Sequence, residues 1–124
     1  MTLWQMSLII ERTGAKMNTK DVLGFLGLCR KAGKLLCGHD VVKDSVISSA
    51  SQLVFLSSDA SERLEREMRY ACSYEGKSIP VYRTPISMDE FGISLGKKSA
   101  VFSVTDTGFA NKIIQKFGEE LHDN

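Results

Sequence analysis

A chain of 124 residues, 43% hydrophobic and 25% charged with a formal net charge of +1, has the make-up of one globular domain and not of a disordered tail. Its apolar runs all fall short of the roughly 20 residues of a membrane helix, and its charge excludes a uniformly basic coat while leaving room for a local basic patch. Cys29, Cys37 and Cys72 are odd in number and form no CxxC pair, which argues against a disulfide framework or zinc finger and for a reducing, cytoplasmic setting.

The first sixteen residues contain Trp4 and an apolar stretch to Ile10. Glu11 and Arg12 follow that stretch and no basic residues precede it, so it does not read as a secretory leader. Met17 opens a second plausible start: Asn18 and Thr19 are helix N-caps, Asp21 suits a first turn, and the periodic positions Val22, Phe25, Leu26 and Cys29 follow. Residues 17–124 are therefore expected to form a single domain. Residues 1–16 are an extension: an arm, a partner surface or a mis-assigned start. Without them, and so without Glu11, Arg12 and Lys16, the formal charge is zero.

Short apolar runs then alternate with segments of helical period, the pattern of an α/β domain. The first helix is expected to stop near Gly33 behind Arg30 and Lys31, with a strand at Leu35 to Cys37. A second helix spans about Asp40 to Ser49 with Val42, Val46 and Ser49 on one stripe, and a strand covers Leu53 to Leu56. The turn at Ser57 to Ser61 offers N-caps for a third helix carrying Leu64, Met68, Ala71 and Cys72 inward, closed by Gly76. A strand near Ile79 to Tyr82 has Pro80 at its start or on an edge. Ser87 caps a short helix around Phe91 and Leu95 that Gly96 stops. The strand Ala100 to Val104 leads through Thr105-Asp106-Thr107-Gly108 into a helix with Phe109, Ile113, Ile114 and Phe117 on its core face. Together these elements predict a three-layer α/β/α sandwich around a mixed sheet of about four strands.

The stretch Leu28 to Lys43 places Arg30, Lys31, Lys34 and Lys43 around the glycine-led start of a helix. Free amides and the dipole at such a start attract phosphate, and Gly38 lets a ligand approach the backbone. Gly96-Lys97-Lys98-Ser99 is a second basic point, in a helix-to-strand loop. The two segments together could track phosphates; equally, Arg30, Lys31 and Lys34 could decorate a helix C-terminus while Lys97 and Lys98 stay solvated.

The segments LGLCRKAGKLLCGHD, LVFLSSDAS and SLGKKSAVFSVTDTGFA, in this order and spacing from Val22 to Phe117, resemble the bacterial YlxQ-type branch of the kink-turn-binding ribosomal proteins, the superfamily of archaeal seven-Ae and eukaryotic thirty-e. The resemblance implies a compact α/β/α domain that binds RNA as part of a ribonucleoprotein. It also implies that the grip comes from Gly38 to Asp44 and Gly96 to Ala100. A kink-turn bends a duplex sharply and exposes guanine edges at sheared G·A pairs, where a helix start can enter. The family's motif runs glycine, an amide or similar polar residue two on, glutamate three on and lysine six on. Here those places hold Gly38, Asp40, Val41 and Asp44, and Lys43 comes one residue early, a rotation of roughly 100° about the helix. Asp40 can accept from guanine or serve as the helix N-cap; His39 can stack, can donate when protonated, or can be a half-exposed loop residue.

Cys37, His39 and Asp40 are the residue types of a nucleophile, base and orienting acid. Gly38 is expected to break the strand between the first two, which favours a core cysteine over an enzyme. Ser58, Asp59, Thr105 and Asp106 follow strands, where α/β sheets often bind ligands, and are also natural caps. There is no GxGxxG or Walker A motif, His122 stands apart, and neither metal nor cofactor is implied. The alternating charges of Glu62, Arg63, Glu65, Arg66, Glu67 and Arg69 read as a solvated helix face that a protein partner could use.

The expected protein is thus a non-enzymatic, ribosomal-type RNA binder acting through Gly38, His39, Asp40 and Lys43, supported by Arg30, Lys31, Lys34, Lys97, Lys98 and Ser99. Its RNA would be structured, ribosomal or of riboswitch type. The alternative is a protein-interaction or scaffold domain that keeps the fold without kink-turn binding.

Overall fold

A computed structural model describes residues 19–117; the expected extension at residues 1–16, the possible start Met17, the expected cap Asn18, and His122 lie outside them. The described elements are α1 (Thr19–Lys31), β1 (Leu35–Cys37), α2 (His39–Ile47), β2 (Leu53–Leu56), α3 (Glu62–Ser73), a 3-10 turn (Tyr74–Gly76), β3 (Val81–Arg83), α4 (Met88–Leu95), β4 (Val101–Val104) and α5 (Thr107–Phe117). Local chemistry sets their ends. Ser61 caps α3 by accepting from the Leu64 amide at 3.0 Å. Ser87 and Glu90 form a reciprocal capping box at α4, and Gly96 closes that helix in the left-handed conformation.

Several boundaries differ from the sequence expectation for physical reasons. Helix α2 begins at His39 with Gly38 as its N-cap, so Asp40 is a first-turn residue and not the cap. Ser49 lies beyond the helix at φ 65° and is exposed, while Ser45 takes the buried place beside Val42 and Val46. Strand β3 starts one residue after Pro80, whose carbonyl still accepts from the Val54 amide at 3.0 Å. Proline thus stays out of the ladder as a donor but joins it as an acceptor.

The sheet order is β1-β4-β2-β3, with β4 antiparallel to both β1 and β2 and β3 parallel to β2. Alternation along the strands divides the interior. Leu53, Phe55, Phe102 and Val104 face α1, α4 and α5 through Leu26, Cys29, Phe91 and Ile113. Val54, Leu56 and Val101 face α2 and α3 through Val42, Val46, Met68 and Cys72. This is the three-layer α/β/α arrangement, a sheet buried on both faces.

The register brings Cys37 opposite Phe102 and Leu56 opposite both Val101 and Arg83. The end of β1, the ends of β2 and β3 and the start of β4 therefore share one end of the sheet. Leu35 pairs with Val104 at the other end, where the Lys34 carbonyl accepts from the Thr105 amide at 3.0 Å.

Candidate nucleic-acid interface

The two basic segments singled out in the sequence adjoin at the first of these ends. Gly38 adopts φ 103° and ψ 145°, a region essentially restricted to glycine. That turn aims its amide at the facing loop, where it donates to the Ser99 hydroxyl and to the Val101 carbonyl, each at 3.2 Å. Ser99 is held in turn: its hydroxyl donates to the Val101 carbonyl at 2.8 Å and accepts from the Val101 amide at 3.2 Å. The Gly38 carbonyl accepts from Val42 to close the first turn of α2. No side chain caps that turn, so its leading amides face outward with the positive end of the helix dipole.

The side chains around this helix start fall into two groups. On α2, the His39 ring bonds Asp40 Oδ1 through Nδ1 at 3.0 Å and Glu67 Oε2 of α3 through Nε2 at 2.9 Å. Lys43 Nζ reaches the same Glu67 oxygen at 2.9 Å. Glu67, and after it Asp40, push the His39 pKa above its ordinary 6.5. Lys43, and after it His39, hold the Glu67 carboxyl below its usual range. Asp40 and Asp44 are exposed, as is Val41.

On the loop, Lys97 is exposed, and Lys98 pairs with Asp89 at 2.9 Å with both side chains largely in solvent. Such a pair contributes little to stability. Asp89 raises the Lys98 pKa. Ser99 is the hinge between this loop and Gly38.

The remaining expected site residues are not brought there together. Arg30 Nη1 donates to the Leu95 carbonyl, so this guanidinium caps the C-terminus of α4 directly ahead of Gly96. Lys31 is exposed at the end of α1. Lys34 sits beyond the opposite end of β1 from Gly38, about 13 Å along the strand by its rise per residue.

Arg83 holds the neighbouring loop and was not anticipated from the sequence. Its Nη1 donates to the carbonyls of Ser57, Ser58 and Ala60 at 3.2, 3.0 and 2.9 Å. Its Nε and Nη2 reach Glu65 Oε1 at 2.8 and 2.7 Å, while Glu65 Oε2 accepts from Arg69. The charged face of α3 is thus partly turned inward to fix its surroundings, which corrects its reading as a wholly solvated face; Glu62 and Arg66 remain an open pair at 4.0 Å. Asp106 caps α5 through the Phe109 amide as expected, whereas Asp59 caps α4 through the Met88 amide, not the helix that follows it.

The Cys37-His39-Asp40 grouping divides across the sheet. Cys37 packs on the α1, α4 and α5 side, whereas the His39 ring bonds α3 on the opposite side. Burial pushes the Cys29 and Cys72 thiols up to about 11, with Asp106 adding to the effect at Cys29, so both are protonated at neutral pH. Among the described residues no group of three His, Cys, Asp or Glu side chains is placed to hold a metal, and no helix is long and apolar enough to cross a membrane.

A three-layer domain with an uncapped helix start bound to a basic helix-to-strand loop is the architecture that comparison with known proteins can now place. The profile of the Ribosomal protein L7Ae/L30e/S12e/Gadd45 family matches residues 20–114, and the chain belongs to that family. It is 37% identical over 99 residues to the RNA-binding protein YlxQ of Bacillus subtilis (strain 168), covering 79% of this chain and 96% of that one. It is 30% identical over 95 residues to the RNA-binding protein YlxQ of Enterococcus faecium, covering 77% and 89%. The solved structure of a protein of unknown function from Bacillus halodurans C superimposes with a TM-score of 0.67 at 34% identity, over 75% of this chain and 92% of that one. The Giardia lamblia 15.5kD RNA binding protein shares the fold, with a TM-score of 0.65 at 17% identity over 86% and 94%.

Proposed function

We propose that this protein binds structured RNA of the kink-turn kind, without catalysing a reaction, through the first turn of α2 and the Gly96 to Ala100 loop. The observation that carries this reading is the Gly38-to-Ser99 hydrogen bond, which couples an uncapped helix N-terminus to a loop bearing Lys97 and Lys98. Backbone amides and lysines would take phosphate, and Asp40, with its side chain 95% exposed, would accept from a guanine edge. His39 would lend a proton-bearing ring beside it. Arg30 acts from behind by securing the base of the loop, with Lys31 beside it along the cleft formed with Ser94 and Leu95; Lys34 would add a contact only to an RNA long enough to pass the far end of β1. The family and the YlxQ relatives named as RNA-binding proteins support the same reading. The natural setting would be cytoplasmic, on a ribosomal or riboswitch-type RNA.

Calorimetry of the full chain against a kink-turn RNA and a matched duplex without G·A pairs, at several salt concentrations, tests this directly. Tight, salt-dependent binding to the kink-turn alone is expected. Equal or absent binding to the two overturns the reading.

A second reading, a protein-interaction or scaffold domain, is favoured by the exposed Ile47, Tyr70 and Tyr74, which border a groove of about 370 Å³ between α2 and α3. Under it, Asp44→Lys creates RNA binding where the parent has none; under the first reading the gain is small.

A further inference from the structure

Helix α2, His39–Ile47, carries two basic side chains, His39 and Lys43, and both converge on one carboxylate oxygen. His39 Nε2 and Lys43 Nζ each lie 2.9 Å from Glu67 Oε2. Two cationic donors meeting at a single anionic oxygen is how such side chains grip a phosphate oxygen. Here the oxygen is the protein's own, supplied by the neighbouring helix. The balance of charge around it is unfavourable to nucleic acid. On α2 itself Asp40 and Asp44 offset Lys43, and Asp40 also holds the second ring nitrogen of His39 at 3.0 Å.

We propose that Glu67 is a specificity-determining residue that stands in for phosphate, withholding His39 and Lys43 from any RNA backbone unable to displace it. This deepens the RNA-binding reading and rests on it. An ordinary duplex offers phosphates to the exposed rim of α2 but gains nothing from the two committed cations. An RNA whose bend brings a phosphate against the α2–α3 junction can take the place of the Glu67 oxygen and collect both donors. Discrimination then arises from a competitor built into the protein, the repulsive half of specificity.

The test is Glu67→Gln, close in shape and with a side chain already 32% exposed, in the full chain against the same kink-turn and matched duplex. Binding to the plain duplex is expected to tighten about fivefold at 0.1 M salt, the size of one added phosphate contact, with the salt slope steeper by roughly 0.7–0.9. The preference for the kink-turn narrows accordingly. Adding Lys43→Gln to Glu67→Gln abolishes the gain. Glu62→Gln removes a charge from the same helix outside this cluster and gives a much smaller change; an equal change would reduce the effect to net charge and overturn the proposal.

The two claims fail differently. A parent that prefers the kink-turn, with a Glu67→Gln variant whose duplex affinity is unchanged or weaker, overturns the role of Glu67 and leaves the RNA-binding reading standing. A parent that binds neither RNA, with a variant that gains both, supports the withholding and removes the kink-turn preference. Absence of binding by parent and variant overturns both. A parent-like circular dichroism spectrum and a single cooperative urea transition, whatever its midpoint, show that each variant is folded.

Discussion

The Gly38 amide donates to the Ser99 hydroxyl at 3.2 Å across a sequence separation of 61 residues. One hydroxyl thereby orients both halves of the candidate interface, since the same atom also bonds both backbone groups of Val101.

Ser99→Ala removes that hub while leaving the Gly38 amide its bond to the Val101 carbonyl. A stability loss of about 1 kcal/mol in urea denaturation is expected, together with a severalfold loss of RNA affinity as the loop loses its register against α2. At Gly38 a Cβ would meet nothing within 4 Å, so Gly38→Ala isolates the backbone cost of φ 103°, on the order of 1–3 kcal/mol. A neutral Gly38→Ala would mean that the turn can be made in another way.

Lys97 and Lys34 are expected to behave differently although both are exposed lysines. Lys97→Glu, on the loop joined to Gly38, weakens RNA binding and flattens its salt dependence by about one unit of slope. Lys34→Glu, beyond the other end of β1, leaves the slope for a short kink-turn nearly unchanged. Titrations over a salt series compare the two, and equal effects would extend the RNA-binding face along the whole strand.

Arg30 looked in the sequence like a phosphate contact or a helix-end ornament; its guanidinium lies on the Leu95 carbonyl. Arg30→Ala should therefore lower the urea midpoint, by about 1 kcal/mol of stability. Loss of RNA binding with unaltered stability would restore it to the direct contacts.

His39 ties stability to pH. Its folded pKa is raised above the ordinary 6.5 by Glu67 and Asp40. Its contribution is thus fully present below about 6.5 and is lost as pH climbs through the raised value. Glu67, with a folded pKa below its ordinary 4.5, contributes above about 4.5 and ceases to do so as pH falls through the lowered value. The contact is most stabilising between the two windows. Urea midpoints from pH 4 to 9 should show His39→Gln losing the decline above about 6.5 that the parent displays, and parallel profiles would detach His39 from that decline.

Much of this architecture is legible in the residues because local rules decide it. The unbroken apolar run Leu53–Leu56, buried throughout, the Ser61 and Ser87 caps and the glycine stop at Gly96 all follow from side-chain chemistry within a few positions. The Gly38 cap was missed because a carboxylate at Asp40 is the better cap by residue type; the backbone turn needed to reach Val101 overrides that preference. The family resemblance marked Gly38 to Asp44 and Gly96 to Ala100, but not what holds them. Glu67, Arg83 and the Leu95 carbonyl are distant in sequence from the groups they bind, and a mixed-charge helix reads the same whether its acids face water or a neighbour.

The place of β4 between β1 and β2 bears on how the chain acquires its shape. Neither earlier strand pairs with the other, so during synthesis the amino-terminal part of the sheet waits with a gap that only Val101–Val104 can fill. Pairing across such separations closes large loops and slows folding. Until then Leu35–Cys37 and Leu53–Leu56 expose apolar, hydrogen-bonding edges, the features that recruit chaperones or other chains. A nascent chain ending before Val101 would accordingly be prone to aggregate, and the binding surface would come into being in one step, late, when the last strand arrives.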